Sequence, residues 1–154
     1  HRPGLLGHGE GVAQLNTPTR LPSPLGGERV VSVTAGWAHS LALTTNGSVW
    51  SWGRGEEGQL GHGNQQRQLL PEKIEALADQ RVLAVSAGMS HSLSLTTDGA
   101  LWSWGNGLYG KLGHGDEQNR LLPKTVEALA GQRAIGVSAG AAHSIALTAD
   151  GAVW

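Results

Sequence analysis

One six-residue motif occurs three times at an even spacing, and it restricts the fold more than any other feature of the chain. Ala35-Gly36-Trp37-Ala38-His39-Ser40 returns as Ala87-Gly88-Met89-Ser90-His91-Ser92 and as Ala139-Gly140-Ala141-Ala142-His143-Ser144. The three histidines stand 52 residues apart, and so do Trp50, Trp102 and Trp154. Residues 82–102 and 134–154 are identical at 12 of 21 positions. A second marker, Leu-Gly-His-Gly, places His8, His62 and His114 at spacings of 54 and 52, so the first repeat carries two extra residues in its Pro-rich stretch 17–27. A period of this length describes one supersecondary unit that buries its apolar face only against its neighbours.

Each unit reads as short strands. Val30-Val31-Ser32-Val33-Thr34 alternates and runs into Ala35-Gly36; Ser40-Leu41-Ala42-Leu43-Thr44 puts Leu41 and Leu43 on one face and Ala42 on the other. Ser48-Val49-Trp50-Ser51-Trp52 puts both Trp on one face. Asn46-Gly47, Asp98-Gly99 and Asp150-Gly151 separate the last two strands and predict a hairpin closed by a type I′ turn. A fourth segment follows Pro71 and Pro123, at Glu72-Lys73-Ile74-Glu75 and Lys124-Thr125-Val126-Glu127. Proline cannot donate to a ladder, so these are expected at the sheet edge. Glu75-Ala76-Leu77-Ala78 and its counterpart are too short for a stable helix and read as turns. Four strands per unit, repeated, predict an all-β chain of β-propeller blades, each a four-stranded antiparallel sheet. The Ala/Gly/Ser-rich strand before each Ala-Gly suits the crowded centre. The chain is expected to be one propeller segment, 1–154, with repeats at about 1–54, 55–106 and 107–154.

Composition removes several function classes. Eleven Lys and Arg against 12 Asp and Glu give a net charge of −1, which argues against nucleic-acid binding by a broad basic surface. With no cysteine there are no disulfides, thiol nucleophiles or Cys-based zinc sites, and a reducing compartment is suitable. No apolar run approaches the ~18 residues of a membrane span. There are 24 glycines, six Trp, one Tyr and no Phe, the composition of a repeated, turn-rich template.

These residues resemble the repeat of the regulator-of-chromosome-condensation family. In the second unit the pattern runs Ala87-Gly88-x-x-His91-Ser92-Leu93-x-Leu95-Thr96-x-Asp98-Gly99-x-x-Trp102-x-Trp104-Gly105, then Gly110-x-Leu112-Gly113-x-Gly115 to Pro123. The resemblance covers the whole chain and implies a propeller. For function it implies a range: an exchange factor for the small GTPase Ran, a plant ultraviolet-B photoreceptor, large ubiquitin ligases, and propellers that serve as binding platforms. The photoreceptor carries Trp and Arg at the two positions between Gly and His. Here those pairs are Trp37-Ala38, Met89-Ser90 and Ala141-Ala142, so only Trp37 matches. The exchange factor inserts a wedge and carries a basic tail, and this chain shows a two-residue expansion in their place.

Candidate residues divide into those the template repeats and those that break it. Gly36, His39, Gly88, His91, Gly140, His143, Trp52 and Trp104 recur and read as structural, with each His bonded to backbone at its own turn. Trp50, Trp102 and Trp154 read as core for the same reason. His8, His62 and His114 lie in Gly-rich loops without metal-set neighbours and read as solvated. Gly53-Arg54-Gly55-Glu56-Glu57-Gly58 fits a loose phosphate-loop pattern, but no helix follows it, so nucleotide binding is not expected. Glu10, the pair Glu56-Glu57 and the pair Asp116-Glu117 are scattered acids rather than an acid/base pair.

Trp37, Met89, Leu108 and Tyr109 are the template-breaking large side chains on loops; they read either as partner-binding residues or as incidental packing. The expected function is a non-catalytic protein-interaction scaffold with no catalytic residue, cofactor or metal, intracellular (cytoplasmic or nuclear), with protein partners and neither nucleic acid nor membrane. The alternatives are a guanine-nucleotide exchange regulator of a small GTPase and the interaction arm of a ubiquitin ligase. His1-Arg2-Pro3-Gly4 aligns with Gly55-Glu56-Glu57-Gly58, so the chain begins almost where it ends, one repeat phase later. Three blades do not close a ring of ordinary blades. The expectation is therefore an arc of a longer propeller or two copies that self-associate into six blades.

Overall fold

The structure is a computed structural model that describes residues 5–12, 14–22 and 25–154. Residues 1–4, used in the phase comparison above, lie outside the described residues. The chain is all-β. Strands β1 (Val30–Ala35), β2 (His39–Thr44), β3 (Val49–Gly53) and β4 (Gln68–Lys73) form one antiparallel sheet in sequence order. β5 (Val82–Ala87), β6 (His91–Thr96), β7 (Leu101–Gly105) and β8 (Arg120–Thr125) repeat it in the same register. β9 (Ala134–Ala139) and β10 (Ser144–Thr148) begin a third sheet, and a bridge from Leu147 to Val153 starts its next strand.

The β2–β3 hairpin forms at Asn46-Gly47, but not as a type I′ turn. Among the described residues the only non-glycine with positive φ is Tyr109, so Asn46 and Asp98 are not left-handed. Gly47 alone is, at φ 86. Gly47 N–H donates to Thr44 O at 2.9 Å and Thr44 N–H to Ser48 O at 3.0 Å, which makes a three-residue loop ending in a glycine bulge. The cause is the preceding threonine. Thr44 Oγ1 donates to Asn46 Oδ1 at 2.7 Å, which also accepts from Ser48 N–H at 3.1 Å, so the loop is fixed from inside. Thr148-Asp150 repeats the arrangement at 2.6 Å.

The outer strand also differs from expectation. It starts before the proline and contains it, at Pro71 in β4 and Pro123 in β8. Pro71 fits because the ladder skips there: Ser51 pairs with Glu72, and the next pair is Gly53 with Gln68. A residue without an N–H loses nothing at such an irregularity. Each outer strand is followed by a single 3-10 turn, Glu75–Leu77 and Glu127–Leu129, and the first plugs Leu77 into the core.

The core lies between blades. Leu41, Leu43, Val49, Ile74 and Leu77 of the first blade pack on Val82, Ala87 and Trp104 of the second. Leu93, Leu101 and Val126 pack likewise on Ala146, with Val137 and Ala139 beside it. Both faces of the middle strand are therefore covered, and every residue of β6 is buried. The inner strands are stapled across blades as well: Ala87 N–H donates to Thr34 Oγ1 at 3.2 Å and Ala139 N–H to Ser86 Oγ at 2.9 Å. Trp52 and Trp104 are buried, while Trp50 and Trp102 are half-buried. Trp154 departs from the core reading. It is exposed, although backbone bonds with Ala146 tie its strand to β10 and its indole N–H donates to Thr148 Oγ1 at 3.2 Å.

Candidate functional site

The β1–β2 loop and the β3–β4 loop leave the blade at the same end, because alternate strands of a meander run in opposite directions. Arg54 N–H donates to Ala38 O at 2.7 Å, and Asn106 N–H to Ser90 O at 2.9 Å, tying the two loops together in each blade. This end carries the histidine frame and the template-breaking residues.

The frame is built for close approach. A β-carbon at Gly36 would collide with Gly88 O and with the His39 ring, and one at Gly88 would meet Gly140 O and the His91 ring. Glycine is required there by the convergence of inner strands. The ring does not bond its own turn. His39 Nε2 lies 2.9 Å from Ser92 Oγ in the next blade, and His91 Nε2 lies 3.0 Å from Ser144 Oγ. Ser92 Oγ donates to Gln59 O at 2.8 Å, so its lone pair is left for the histidine, and His39 donates from Nε2. The Gln59 carbonyl also accepts from Trp104 Nε1 at 2.9 Å. The second interface repeats the chain, with Ser144 Oγ donating to Lys111 O at 2.7 Å. Burial, reinforced for His39 by His91 and for His91 by Lys111 and then His143, pushes both rings down to about 4. They are neutral structural donors. His143 carries the same motif on the third blade, where its ring is exposed.

The loop histidines are not simply solvated. His62 Nε2 meets Ser51 Oγ at 2.9 Å, and that hydroxyl donates to Leu60 O at 2.7 Å. His114 and Ser103 repeat the contact at 2.9 Å. Burial lowers both pKa values. A fully buried serine needs a second partner, and the glycine-flanked loop brings the ring back to supply it. His8 Nδ1 lies 2.8 Å from Leu6 O.

Outside this frame the end surface is apolar at two places. Trp37 is 59% exposed, and with Met89 and Ala141 it borders a shallow depression of about 340 Å³ over the three motif glycines. Further out, Leu108 is half-exposed and Tyr109 is 77% exposed. Tyr109 sits at φ 64, ψ 18, the left-handed region, which an aromatic residue adopts at a cost of about 1–2 kcal/mol. Lys111 Nζ stands 6.0 Å from its ring centroid.

A concerted exchange surrounds Tyr109. In the first blade Arg54 and Arg67 pair with Glu56, at 2.7 and 3.8 Å. At the matching positions of the second blade, 52 residues on, stand Asn106, Asn119 and Leu108, with Tyr109 in place of Glu57. The two asparagines reach back to Glu57, donating from Nδ2 at 3.0 and 3.1 Å, and Lys111 Nζ donates to Asn106 Oδ1. An ion-paired loop has become an apolar tip braced by a polar network from its neighbour. The sequence signal for this was the simultaneous loss of both arginines and both acids. The bracing itself joins residues 49 and 62 apart and has no local signature. Glu10 and Glu117 stand apart from this network. Among the described residues no three of His, Asp and Glu gather within reach of one metal ion, and no helix is long and apolar enough to cross a membrane.

Four-stranded meanders that stack face to face, each offset from the last by one repeat, are the blades of a β-propeller. The regulator of chromosome condensation (RCC1) repeat model matches residues 2–43, 46–95 and 98–147, and the chain belongs to that family. It is 44% identical to human E3 ubiquitin-protein ligase HERC2 over 98% of this chain and 3% of that protein. It is 40% identical to the ultraviolet-B receptor UVR8 of Arabidopsis thaliana over 98% of this chain and 34% of the receptor. Saccharomyces cerevisiae Prp20p, whose binding to Gsp1p and histones is described with its crystal structure, superposes with a TM-score of 0.84 at 27% identity, covering 94% of this chain and 37% of Prp20p. The chain thus spans a minor part of each relative.

Proposed function

We propose that this chain is a non-catalytic, intracellular protein-binding platform whose contact residues are Trp37, Met89, Leu108 and Tyr109. The observation that carries the reading is the exchange in the second blade, where a salt-bridged loop gives way to a strained, exposed tyrosine. Strain of this kind persists where the surroundings over-determine it, and it clusters at binding sites. A structural role for the recurring His91 and Ser92 positions supports this reading, since Nε2 of His39 and His91 and Oγ of Ser92 and Ser144 are engaged between blades. Near-zero net charge favours a protein partner over nucleic acid. The test restores the first-blade residues. With the chain immobilised, L108E/Y109E is expected to retain at least tenfold less of each protein the wild type captures, at an unchanged denaturant midpoint. Equal recovery overturns the reading.

A second reading rests on the 44% identity to HERC2: the propeller serves as the interaction arm of a ubiquitin ligase. Ligase activity of the parent protein toward a captured partner, lost in the same double variant, would support it. Nucleotide exchange on a small GTPase rests on the likeness to Prp20p, and a direct exchange assay with a Ran-type GTPase tests it.

A further inference from the structure

One corner recurs in every blade, and in the first blade it is built from exchanged parts. It joins the approach to the inner strand with the loop that follows the second strand. The pairs are Glu28 with Asn46, Gln80 with Asp98 and Gln132 with Asp150. Each pair has one carboxylate and one amide, and only the first has the carboxylate on the approach. All three loops hang on a threonine. Thr96 and Thr148 donate to Asp98 Oδ1 and Asp150 Oδ1, which also accept from the N–H of Ala100 and Ala152. In the first blade Thr44 Oγ1 lies 2.7 Å from both Asn46 Oδ1 and Glu28 Oε2, and Asn46 Nδ2 donates to Glu28 Oε1 at 2.8 Å. The bonds from Thr44 and Asn46 hold the Glu28 carboxyl below its ordinary value, so the corner carries one full negative charge.

We propose that Asn46-Gly47 is a site of spontaneous deamidation, and that Glu28 makes the product a charged defect of the first blade. The Gly47 nitrogen, once hydroxide has taken its proton, adds to Asn46 Cγ. A C–N bond forms, the side-chain nitrogen leaves as ammonia with a proton from water, and a cyclic imide remains. Water then opens the imide at one of its two C–N bonds, which gives Asp or an isoaspartyl linkage. Water is consumed, ammonia is released, and no oxidant or reductant is needed. Three features favour the attack. Asn46 is exposed, so water reaches it. Its Oδ1 faces the Thr44 hydroxyl and accepts from Ser48 N–H at 3.1 Å, so donors meet the oxygen that gains charge as the nitrogen adds. Gly47 has no side chain to shield that nitrogen. Its N–H is donated to Thr44 O at 2.9 Å, so opening of this bond sets the pace. The other Asn-Gly, Asn106-Gly107, is withheld. Asn106 is 6% exposed, a β-carbon at Gly107 would overlap Gln118 O, and Gly107 N–H is donated to Asn119 Oδ1 at 3.0 Å. An aspartate at position 46 would set two carboxylates where Nδ2 now donates to Glu28, an arrangement neither other blade contains. One must take up a proton or the pair must part. The corner lies at the opposite end of the blade from Trp37 and Tyr109, so this inference is independent of the rim reading.

The test is peptide mapping by mass spectrometry of the folded chain after incubation at mildly alkaline pH, beside a sample held in urea. Conversion of amide to acid is expected at residue 46 in the folded chain and not at residue 106, whereas urea exposes both. A folded chain that keeps Asn46 while the urea sample loses it overturns the proposal, as does conversion at residue 106 ahead of residue 46. Two variants test the part assigned to Glu28. N46D supplies the product directly at an exposed position where the other blades already carry Asp, so it is expected to fold, with a lower urea midpoint than the wild type. E28Q/N46D copies the Gln80-Asp98 pair and is expected to return the midpoint to the wild-type value. An N46D midpoint equal to the wild type, or a double variant no more stable than N46D, removes the charged defect and overturns the proposal on that count.

Discussion

The adjacent pair His91-Ser92 acts in two interfaces at once. The His91 side chain donates to Ser144 in the blade ahead, and its β6 neighbour Ser92 accepts from His39 in the blade behind. Removing the ring would leave Ser144 Oγ short of a donor and open space against Gly88. H91A is expected to lose roughly 1–3 kcal/mol, read as a lower denaturant midpoint, with no change in rim-facing binding. The same rings set a pH dependence. Unfolded, each histidine takes a proton near its ordinary 6.5; folded, it resists until about 4. The unfolded state therefore binds more protons between these values, and stability falls as pH drops from about 6.5 to 4, by up to about 3 kcal/mol per ring. Above 6.5 the term is absent, and below 4 it levels off. Urea midpoints measured across this window are expected to decline for the wild type and less steeply for H91A. Parallel profiles would show that the ring is not the group that titrates.

At the scale of elements the hairpin shows what a local pattern carries and what it leaves out. Asp98-Gly99 announces a hairpin, but two turn geometries accept that dipeptide. The choice is made by Thr96, whose hydroxyl bonds both Asp98 Oδ1 and Ala100 O and so fixes a three-residue loop. Gly99 is then the one residue that must be left-handed, at φ 88. G99A is expected to cost about 1–2 kcal/mol, while D98N, which keeps the acceptor, stays near the wild type. Thermal melts of the two variants compare them directly, and equal losses would contradict the bulged geometry. The outer strands teach the same lesson. Pro71 was readable as an edge signal, but the skipped register that admits it inside β4 depends on Trp52 and Gly53 across the ladder. The histidine partners were unreadable for a stronger reason. Ser92 is 53 residues from His39, so strand periodicity identifies the ring as template without saying which blade it serves. At the rim, the departure of Leu108 and Tyr109 from the template was visible in the sequence; the Asn106–Glu57 brace was not, because it crosses between loops of different blades.

In the whole molecule, stability resides in the seams between blades rather than within them, because each sheet alone has two apolar faces and little interior. Trp104 is where this is most concentrated. It is fully buried in the first seam, where it packs with Leu41, Leu43 and Leu77 of the preceding blade and donates its indole N–H to Gln59 O. Trp52 holds the same template position, yet its indole nitrogen is buried without an acceptor among the described residues. The two tryptophans are thus matched in sequence and unequal in context. W104A is expected to cost about 3–5 kcal/mol through the cavity and the loss of one of the two donors to Gln59 O, and W52A distinctly less. The larger effect has a spatial signature. Hydrogen exchange in W104A is expected to accelerate on both sides of the seam together, in β2–β3 and in β5–β6, because each side lines the lost contact. W52A is expected to accelerate exchange in the first blade alone. If W104A instead loosened only β7 and its immediate neighbours, the blades would be independently stable units, and the inter-blade bonds of His39 and Trp104 would be ornaments on sheets that hold themselves.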